Sequence, residues 1–184
     1  MEFNFDVRSA LRSEGVTRWE ASDVYRAMRA RHGNQLAEII DAMGMGSAKA
    51  QKLGAVITTT SKLLSSSHIL YIASNKREVL GILRIGVKKL FIRTETGLMH
   101  EISPMCVLDF YVHERCQRQG VGSILFEYML KDANVRPSAL AYDRPSPKLI
   151  GFLSKHYDLH EYVPQNNNFV VFNDYFIKDT FACG

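Results

Sequence analysis

The chain lacks the features that would tie it to a membrane, a metal or an oxidising compartment. No run approaches the roughly 18 consecutive apolar residues of a membrane-spanning helix, and Met1-Glu-Phe-Asn-Phe-Asp has neither the basic start nor the apolar core of a signal peptide. A cytoplasmic protein without a membrane span is therefore expected. The three cysteines, Cys106, Cys116 and Cys183, are odd in number and form no Cys-x-x-Cys pair, which argues against a disulfide framework and fits a reducing compartment. Six histidines are scattered without ligand spacing, so no metal site is expected. There is no Lys/Arg block and no RNA- or DNA-binding signature. The net charge of +4 is dispersed along the chain, which reads as a solvated, slightly basic surface and no nucleic-acid partner. With 46% hydrophobic content in 184 residues, the chain can bury a full core, and one monomeric domain over 1–184 is expected.

What is present is concentrated in Cys106-Val-Leu-Asp-Phe-Tyr-Val-His-Glu-Arg-Cys-Gln-Arg-Gln-Gly-Val-Gly-Ser-Ile-Leu-Phe126, a buried strand feeding a glycine loop that opens into a helix. Gly120 and Gly122 let the backbone curl, so that successive N–H groups and the positive end of the helix converge on a phosphate. Neither the Walker loop nor the dinucleotide fingerprint is met. Gln117-Arg-Gln-Gly120-Val-Gly122 instead resembles the Gln/Arg-x-x-Gly-x-Gly/Ala loop with which the GCN5-related N-acetyltransferase (GNAT) superfamily holds the pyrophosphate of acetyl-coenzyme A. Taken alone, a simple tight turn explains this Gly-x-Gly equally well.

Elsewhere, Phe3, Phe5 and Val7 alternate as in a short strand, and Val16 to Arg31 has helical potential. A firmer helix is expected from Asn34 through the stripe Leu36, Ile39, Ile40 and Met43, broken by Gly44-Met-Gly46, with Ser47 capping a second short helix. Residues 58–67 read as polar surface anchored by Leu63 and Leu64. Strands are expected at 69–73, at 79–93 with bends at Gly81 and Gly86, and at 99–114 with a break at Pro104. After the glycine loop, Ile124, Leu125, Tyr128 and Met129 form a broad apolar helix face, ended by Arg136-Pro137. A strand at 140–143 precedes a helix capped by Ser146, with Pro147 in its first position and Leu149, Ile150, Phe152 and Leu153 inward. Closing strands at 168–172 and 175–177 complete a mixed sheet flanked by helices.

Several segments together resemble, in order, the alpha-tubulin N-acetyltransferase family of the GNAT superfamily. They are Met1-Glu-Phe-Asn-Phe-Asp-Val7, Ser47-Ala-Lys-Ala-Gln51, Lys88-Lys-Leu-Phe91, Cys106 to Glu114, Asp143-Arg-Pro-Ser146, Lys155-His-Tyr157 and Pro164-Gln-Asn-Asn-Asn-Phe-Val170. The resemblance runs to about Phe176; the family's longer C-terminal extension is missing, as in a catalytic domain alone or a short member. It implies an α/β (α+β), GNAT-like fold with a mixed, twisted sheet, in which the central parallel strands at 106–112 and 140–143 splay around the pantetheine arm. It further implies acetyl-CoA as donor and a lysine of alpha-tubulin in microtubules as acceptor, with direct attack of the amine on the thioester in a ternary complex. Cofactor contacts carry over onto Phe110, Tyr111, Val112, His113, Gln117, Arg118, Gln119, Gly120, Val121, Gly122 and Ser123, and onto Ser146, Lys148, Leu149, Phe152 and Lys155. Acceptor contacts carry over onto Lys62, Arg84, Lys88 and Phe169.

A lysine amine attacks only as the free base, yet in water its pKa is about 10.4. By resemblance Asp143 is the principal catalytic carboxylate, Cys106 a second candidate base, and Gln51 a group that orients the incoming lysine. Asp143 ends a strand, where apolar neighbours would raise its pKa and improve it as a base; it serves equally well as an electrostatic anchor that positions the amine. Cys106, at the head of an apolar strand, is more commonly a small core hydrophobe, and it ionises only with a positive neighbour such as Arg84 or Lys88. A backbone N–H of the 106–112 strand would meet the oxyanion. Lys88 and Lys89 also read as solvated charges at a sheet edge, and Phe169 as core. Asp109, inside an apolar strand, requires a charged or backbone partner. Two alternatives share these residues: a GNAT enzyme for other protein or small-molecule amines, and a non-catalytic microtubule-binding module.

Overall fold

The computed structural model describes residues 1–177; Cys183 lies outside them. In chain order the elements are α1 (Val7–Leu11), β1 (Gly15–Glu20), α2 (Ala21–Met28), α3 (Gly33–Ala50), α4 (Thr60–Leu64), β2 (Ile69–Ser74), β3 (Val79–Val87), β4 (Leu90–Arg93), β5 (Met99–Ile102), β6 (Met105–Val112), α5 (Val121–Ala133), β7 (Leu140–Asp143), α6 (Pro147–Tyr157) and β8 (Phe169–Val171). They fall into two compact units, Met1–Gly86 with Leu108–Ala133, and Val87–Val107 with the chain from Asn134 onward. Among the described residues no helix is long and apolar enough to cross a membrane.

In the first unit β1, β2 and β3 pair antiparallel, from Gly15↔Ser74 to Glu20↔Ile69 and from Ile69↔Ile85 to Ser74↔Val79, and β6 lies beside β3. The register slips at Ala73/Ser74, leaving Leu80 as the extra residue, and its carbonyl accepts the His113 N–H at 2.8 Å. The expected α3 stripe is the centre of the core: Leu36, Ile39, Ile40 and Met43 are buried together with Leu11, Trp19, Val24, Leu63, Leu70 and Ile72.

Several local expectations for this unit are overturned. Phe3 and Phe5 are half-buried but form no strand, because Asp6 caps α1 by accepting the Arg8 N–H at 3.1 Å. The segment from Val16 begins as strand, where Val16, Thr17 and Trp19 pair with β2, and becomes helix only after Glu20, whose N–H donates to Asp23 at 3.3 Å. The glycines do not break α3, which runs unbroken for 18 residues. They are points of close approach instead: a Cβ on Gly44 would lie 1.7 Å from the Thr58 carbonyl oxygen, and one on Gly46 would lie 3.1 Å from the Tyr111 ring. Ser47 therefore caps nothing and is turned into the core. Thr58 and Thr60 are buried rather than surface, and Thr59 caps α4 through the Lys62 N–H at 3.1 Å. On α5, Leu125, Phe126 and Met129 face inward, while Ile124 and Tyr128 are 57% and 40% exposed, so the buried face is narrower than expected. The Tyr71 hydroxyl donates to Asp132 at 2.7 Å and Arg18 Nε to the same oxygen at 3.0 Å, tying the end of α5 to β1 and β2.

In the second unit β4 and β5 form a hairpin from Leu90↔Ile102 to Arg93↔Met99. The expected ribbon over 79–93 is interrupted at Lys88-Lys89, where the Lys88 N–H turns to the Pro104 carbonyl at 3.3 Å. β6 and β7 are the parallel pair, in register over Met105↔Leu140, Cys106↔Ala141 and Val107↔Tyr142 only, although β6 is eight residues long. β7 pairs antiparallel with β8. Ser146 caps α6 as expected, accepting the Leu149 N–H at 3.1 Å, with Pro147 in the first turn. Of the four apolar residues assigned to its inner side only Leu153 is fully buried. Residues 175–177 do not extend a strand: Asn173–Phe176 is a 3₁₀ turn, closed by the Tyr175 N–H on the Phe172 carbonyl at 2.9 Å.

Candidate active site

The glycine loop of the first unit has the geometry of an anion cradle. His113 begins the turn that ends β6, its Nδ1 accepting the Arg115 N–H at 3.4 Å. Gln117 follows in extended backbone and donates its side-chain amide to the Val112 carbonyl at 3.0 Å; Gln119 does the same to the Arg115 carbonyl at 3.3 Å. Arg118 and Gly120 then take left-handed backbone, with φ of 63° and 80°, and α5 opens at Val121. The first helical bond at this end is from Ile124 N–H to the Gly120 carbonyl at 3.1 Å. The N–H groups of Val121, Gly122 and Ser123 precede it, and among the described residues none of them has an acceptor. Free amides at the positive end of a 13-residue helix fit a diphosphate, with Arg115 and Arg118 exposed on the same loop.

The two glycines differ in role. Gly120 is required by its positive φ, whereas Gly122 is helical and a Cβ there would meet Phe110 and Val112 at an ordinary 3.7 and 3.8 Å. The expectation that both are needed to curl the backbone thus holds for Gly120 alone. Phe110 is fixed by stacking on Phe126, with centroids 6.1 Å apart. Tyr111 is turned to the opposite face of β6, against Gly46, and its hydroxyl donates to Glu114 at 3.0 Å, so it offers the loop side only backbone. In the second unit, α6 carries Lys148 and Lys155 exposed and Leu149 and Phe152 half-buried, and Phe152 packs on His156 at 4.7 Å.

The parallel pair of the second unit holds Cys106 and Asp143. Asp143 is half-buried at the end of β7, opposite Phe169 on β8. Arg144 and Asn168 just beyond both take left-handed backbone, and the Arg144 N–H donates to the Asn168 carbonyl at 3.0 Å, so the strand ends are pinned as a pair. Cys106 is fully buried, its thiol directed at the Pro104 carbonyl at 3.4 Å. Burial pushes that thiol up to about 11; the Lys88 N–H and ammonium pull it down and the Asp143 charge pushes it further up. Lys88 is thus the positive neighbour the sequence called for, yet desolvation outweighs it, and the group near neutral pH is a thiol. Arg84 plays no such part.

Arg84 is instead buried in the first unit, its guanidinium donating to the Ile57 carbonyl at 2.6 Å and to His68 Nδ1 at 2.7 and 3.1 Å. It supports the segment before α4 and is not the surface contact expected. Lys62 is exposed and its ammonium caps the Val56 carbonyl; Lys88 is exposed and Phe169 half-buried. Gln51 ends α3, and its amide nitrogen donates to Ser47 Oγ at 2.7 Å and to Asp109 at 3.1 Å. Asp109 thus has the charged neighbour expected of it in Arg84, which acts on it through electrostatics, but its hydrogen bonds come from side-chain hydroxyls and an amide. Neither Ser47, expected as a helix cap, nor Thr58, expected as polar surface, was foreseen as a partner of Asp109. Ser47 had a usable signal, since it continues the inward stripe of Ile40 and Met43 at helical spacing and lies four residues before Gln51. Thr58 had none.

The sequence matches the family model described as GNAT acetyltransferase, Mec-17, over residues 3–183. It is 46% identical over 181 residues to the alpha-tubulin N-acetyltransferase of Tetrahymena thermophila, covering 97% of this chain and 45% of that protein. To the protein of the same name from Trichoplax adhaerens it is 48% identical, covering 96% of this chain and 82% of that one. The chain thus spans about half the length of the first relative and most of the second. In three dimensions it is similar to the xEco2 acetyltransferase domain bound to a CoA conjugate, with a TM-score of 0.57 over 97% of this chain and 98% of that one at 13% identity, which speaks for the fold: a mixed sheet with one parallel pair, flanked by helices. On the family match across nearly the whole sequence, together with that fold, the chain belongs to the GNAT acetyltransferase, Mec-17 family.

Proposed function

We propose that this chain transfers the acetyl group of acetyl-CoA to the side-chain amine of a lysine of alpha-tubulin in microtubules, acting as a monomeric domain in the cytoplasm. The observation that carries the donor half is the run of unpartnered amides at 121–123 behind the left-handed Arg118 and Gly120. The names of the relatives carry the acceptor. Acetyl-CoA supplies an activated thioester, so the chain's own task is to hold the donor, orient the amine and take its proton.

In this reading Gly120 to Ser123 would hold the diphosphate through their amides, helped by Gln117, Arg118 and Gln119, and Phe110 to His113 would line the arm by their backbone. Ser146, Lys148, Leu149, Phe152 and Lys155 form the second set of donor contacts. Asp143 receives or anchors the lysine proton, Gln51 orients the amine, and Lys62, Lys88 and Phe169 meet the acceptor. Cys106 packs beside Asp143 as a neutral thiol. Mass spectrometry of microtubules, free tubulin and unrelated amines treated with the protein and acetyl-CoA tests the whole proposal. A single acetylated lysine of alpha-tubulin, favoured in the polymer, is expected; preference for small amines would move the assignment to another acceptor class, and no transfer would end it.

A further inference from the structure

One buried charge is not used by the proposed chemistry. Asp109 is 3% exposed in the middle of β6, on the face it shares with Tyr111, which packs on Gly46 of α3. Arg84 acts on it through electrostatics but spends its own N–H groups on Ile57 and His68. The carboxylate is satisfied by short bonds from hydroxyls: Ser47 Oγ donates to Oδ1 at 2.6 Å and Thr58 Oγ1 to Oδ2 at 2.6 Å. Gln51 Nε2 completes the cluster, 3.1 Å from Oδ1 and 2.7 Å from Ser47 Oγ.

Hydrogen-bond capacity gives this cluster a direction. An ionised carboxylate only accepts, so it takes the proton of each hydroxyl and leaves Ser47 Oγ nothing but lone pairs to offer Gln51. Both groups behind Gln51 are then acceptors. Of the two orientations of its amide, which are equal in shape, only the one with Nε2 inward satisfies them; the other sets an oxygen against two acceptors in a buried place, which is expensive. The carbonyl Oε1 is thereby turned away from the cluster, and among the described residues no donor reaches it. A protonated lysine is all donor and no acceptor, so that oxygen is the end of Gln51 it can use.

We propose that Asp109 is a positioning residue: by drawing the Ser47 hydroxyl and the Gln51 amide nitrogen onto one carboxylate oxygen, it obliges Gln51 to present a carbonyl acceptor to the incoming lysine. The inference rests on the lysine-transfer reading above. Thr58 binds the other carboxylate oxygen and serves a separate purpose, holding the segment before α4 against β6.

Asp109→Asn keeps the shape but lets an NH₂ group face Ser47, so the chain of donors can invert. Loss of a hydrogen bond to a charged substrate predicts a rise of about tenfold in KM for the lysine substrate, with KM for acetyl-CoA and kcat at saturating lysine little moved. In a Gln51→Ala background the same substitution has no further effect on that KM, whereas a merely structural carboxylate would add its effect independently. Should Asp109→Asn fail to fold, Ser47→Ala gives the same test: a smaller rise, again absent without Gln51. Spectra of protein carrying ¹⁵N-labelled glutamine, recorded without substrate, give a reading apart from turnover, with the Gln51 NH₂ protected from exchange in the wild type and freely exchanging in Asp109→Asn. Independent effects in the double variant, or an unprotected Gln51 amide in the wild type, overturn the proposal. A wild-type protein that acetylates no lysine overturns the proposed function and this role with it, and intact amide protection would show that the network itself had not failed.

Discussion

The glycine loop and the Cys106–Asp143 pair are built on opposite plans. In the loop the functional atoms are backbone N–H groups, and the side chains matter only where they set φ, as at Gly120, or brace a carbonyl, as Gln117 and Gln119 do. In the pair the backbone is ordinary parallel sheet, and everything depends on which side chain stands at each position and how dry it is. Burial keeps the thiol of Cys106 protonated, while Asp143 sits half-exposed at the end of β7. A backbone site tolerates substitution except where conformation is at stake, and a side-chain site tolerates almost none.

The sharpest test of this contrast is Asp143→Asn, which keeps the shape and removes the charge. Turnover is expected to fall by about 10²–10⁴-fold, the range for a lost general base, with acetyl-CoA affinity by titration calorimetry within a few fold; near-full activity would strip Asp143 of its role. Next in size is the pair of loop variants. Gly120→Ala must hold an alanine at φ 80°, a strain of about 1–2 kcal/mol, and should weaken acetyl-CoA binding by roughly ten-fold or lower the melting temperature. Gly122→Ala places its methyl at ordinary contact distance and gains helix propensity of up to about 1 kcal/mol, so stability should hold or rise. Equal penalties at the two positions would erase the distinction drawn between them.

Cys106→Ala should cost less than about tenfold in kcat, below the usual range for a lost acid–base group. Its pH–rate profile should be unshifted across neutral pH, because a thiol pushed up to about 11 does not ionise there. A displaced acid limb would return Cys106 to the list of bases. The smallest effect is on stability. The folded thiol binds its proton more tightly than the unfolded one, so the stabilisation it confers is complete below the ordinary value of 9.0 and is lost as pH rises towards about 11. The buried hydroxyls of Tyr71, Tyr111 and Tyr142 are shifted up as well, and act with the same sign at still higher pH. Urea midpoints measured across that alkaline interval should decline in the wild type and decline less in Cys106→Ala.

Much of the frame was legible in the residues. The strand at 140–143, the Ser146-Pro147 helix start, the α3 stripe and the break at Pro104 are local signals with local causes, and each lies where the pattern placed it. The errors have a common origin. Gly44 and Gly46 read as a stop because glycine is a poor helix former, yet they mark where another segment presses against α3. Thr58 and Thr60 read as surface because hydroxyls are usually solvated, but the Thr58 hydroxyl donates to Asp109 and the Thr60 hydroxyl to the Ala37 carbonyl. Ile124 looked buried from periodicity and is exposed because α5 faces the sheet with only part of its apolar arc. Of the candidate site, the loop and Asp143 were expected from motif and resemblance and remain a proposal, while the burial of Arg84 was not foreseen because a basic residue in a strand does not announce that its partners are a carbonyl and an imidazole.

By itself the sequence determined much of where the chain turns and which α3 stripe is buried, and that a glycine loop runs into a helix start, since these follow from steric and periodic rules acting within a few residues. Tertiary structure alone decided that Cys106 is dry enough to keep its proton, that Arg84 is a brace, and that Asp109 is satisfied by Ser47, Thr58 and Gln51. Protonation and hydrogen-bond direction depend on desolvation and on partners 51 to 62 positions away in the chain, and such partners are chosen only when the elements pack.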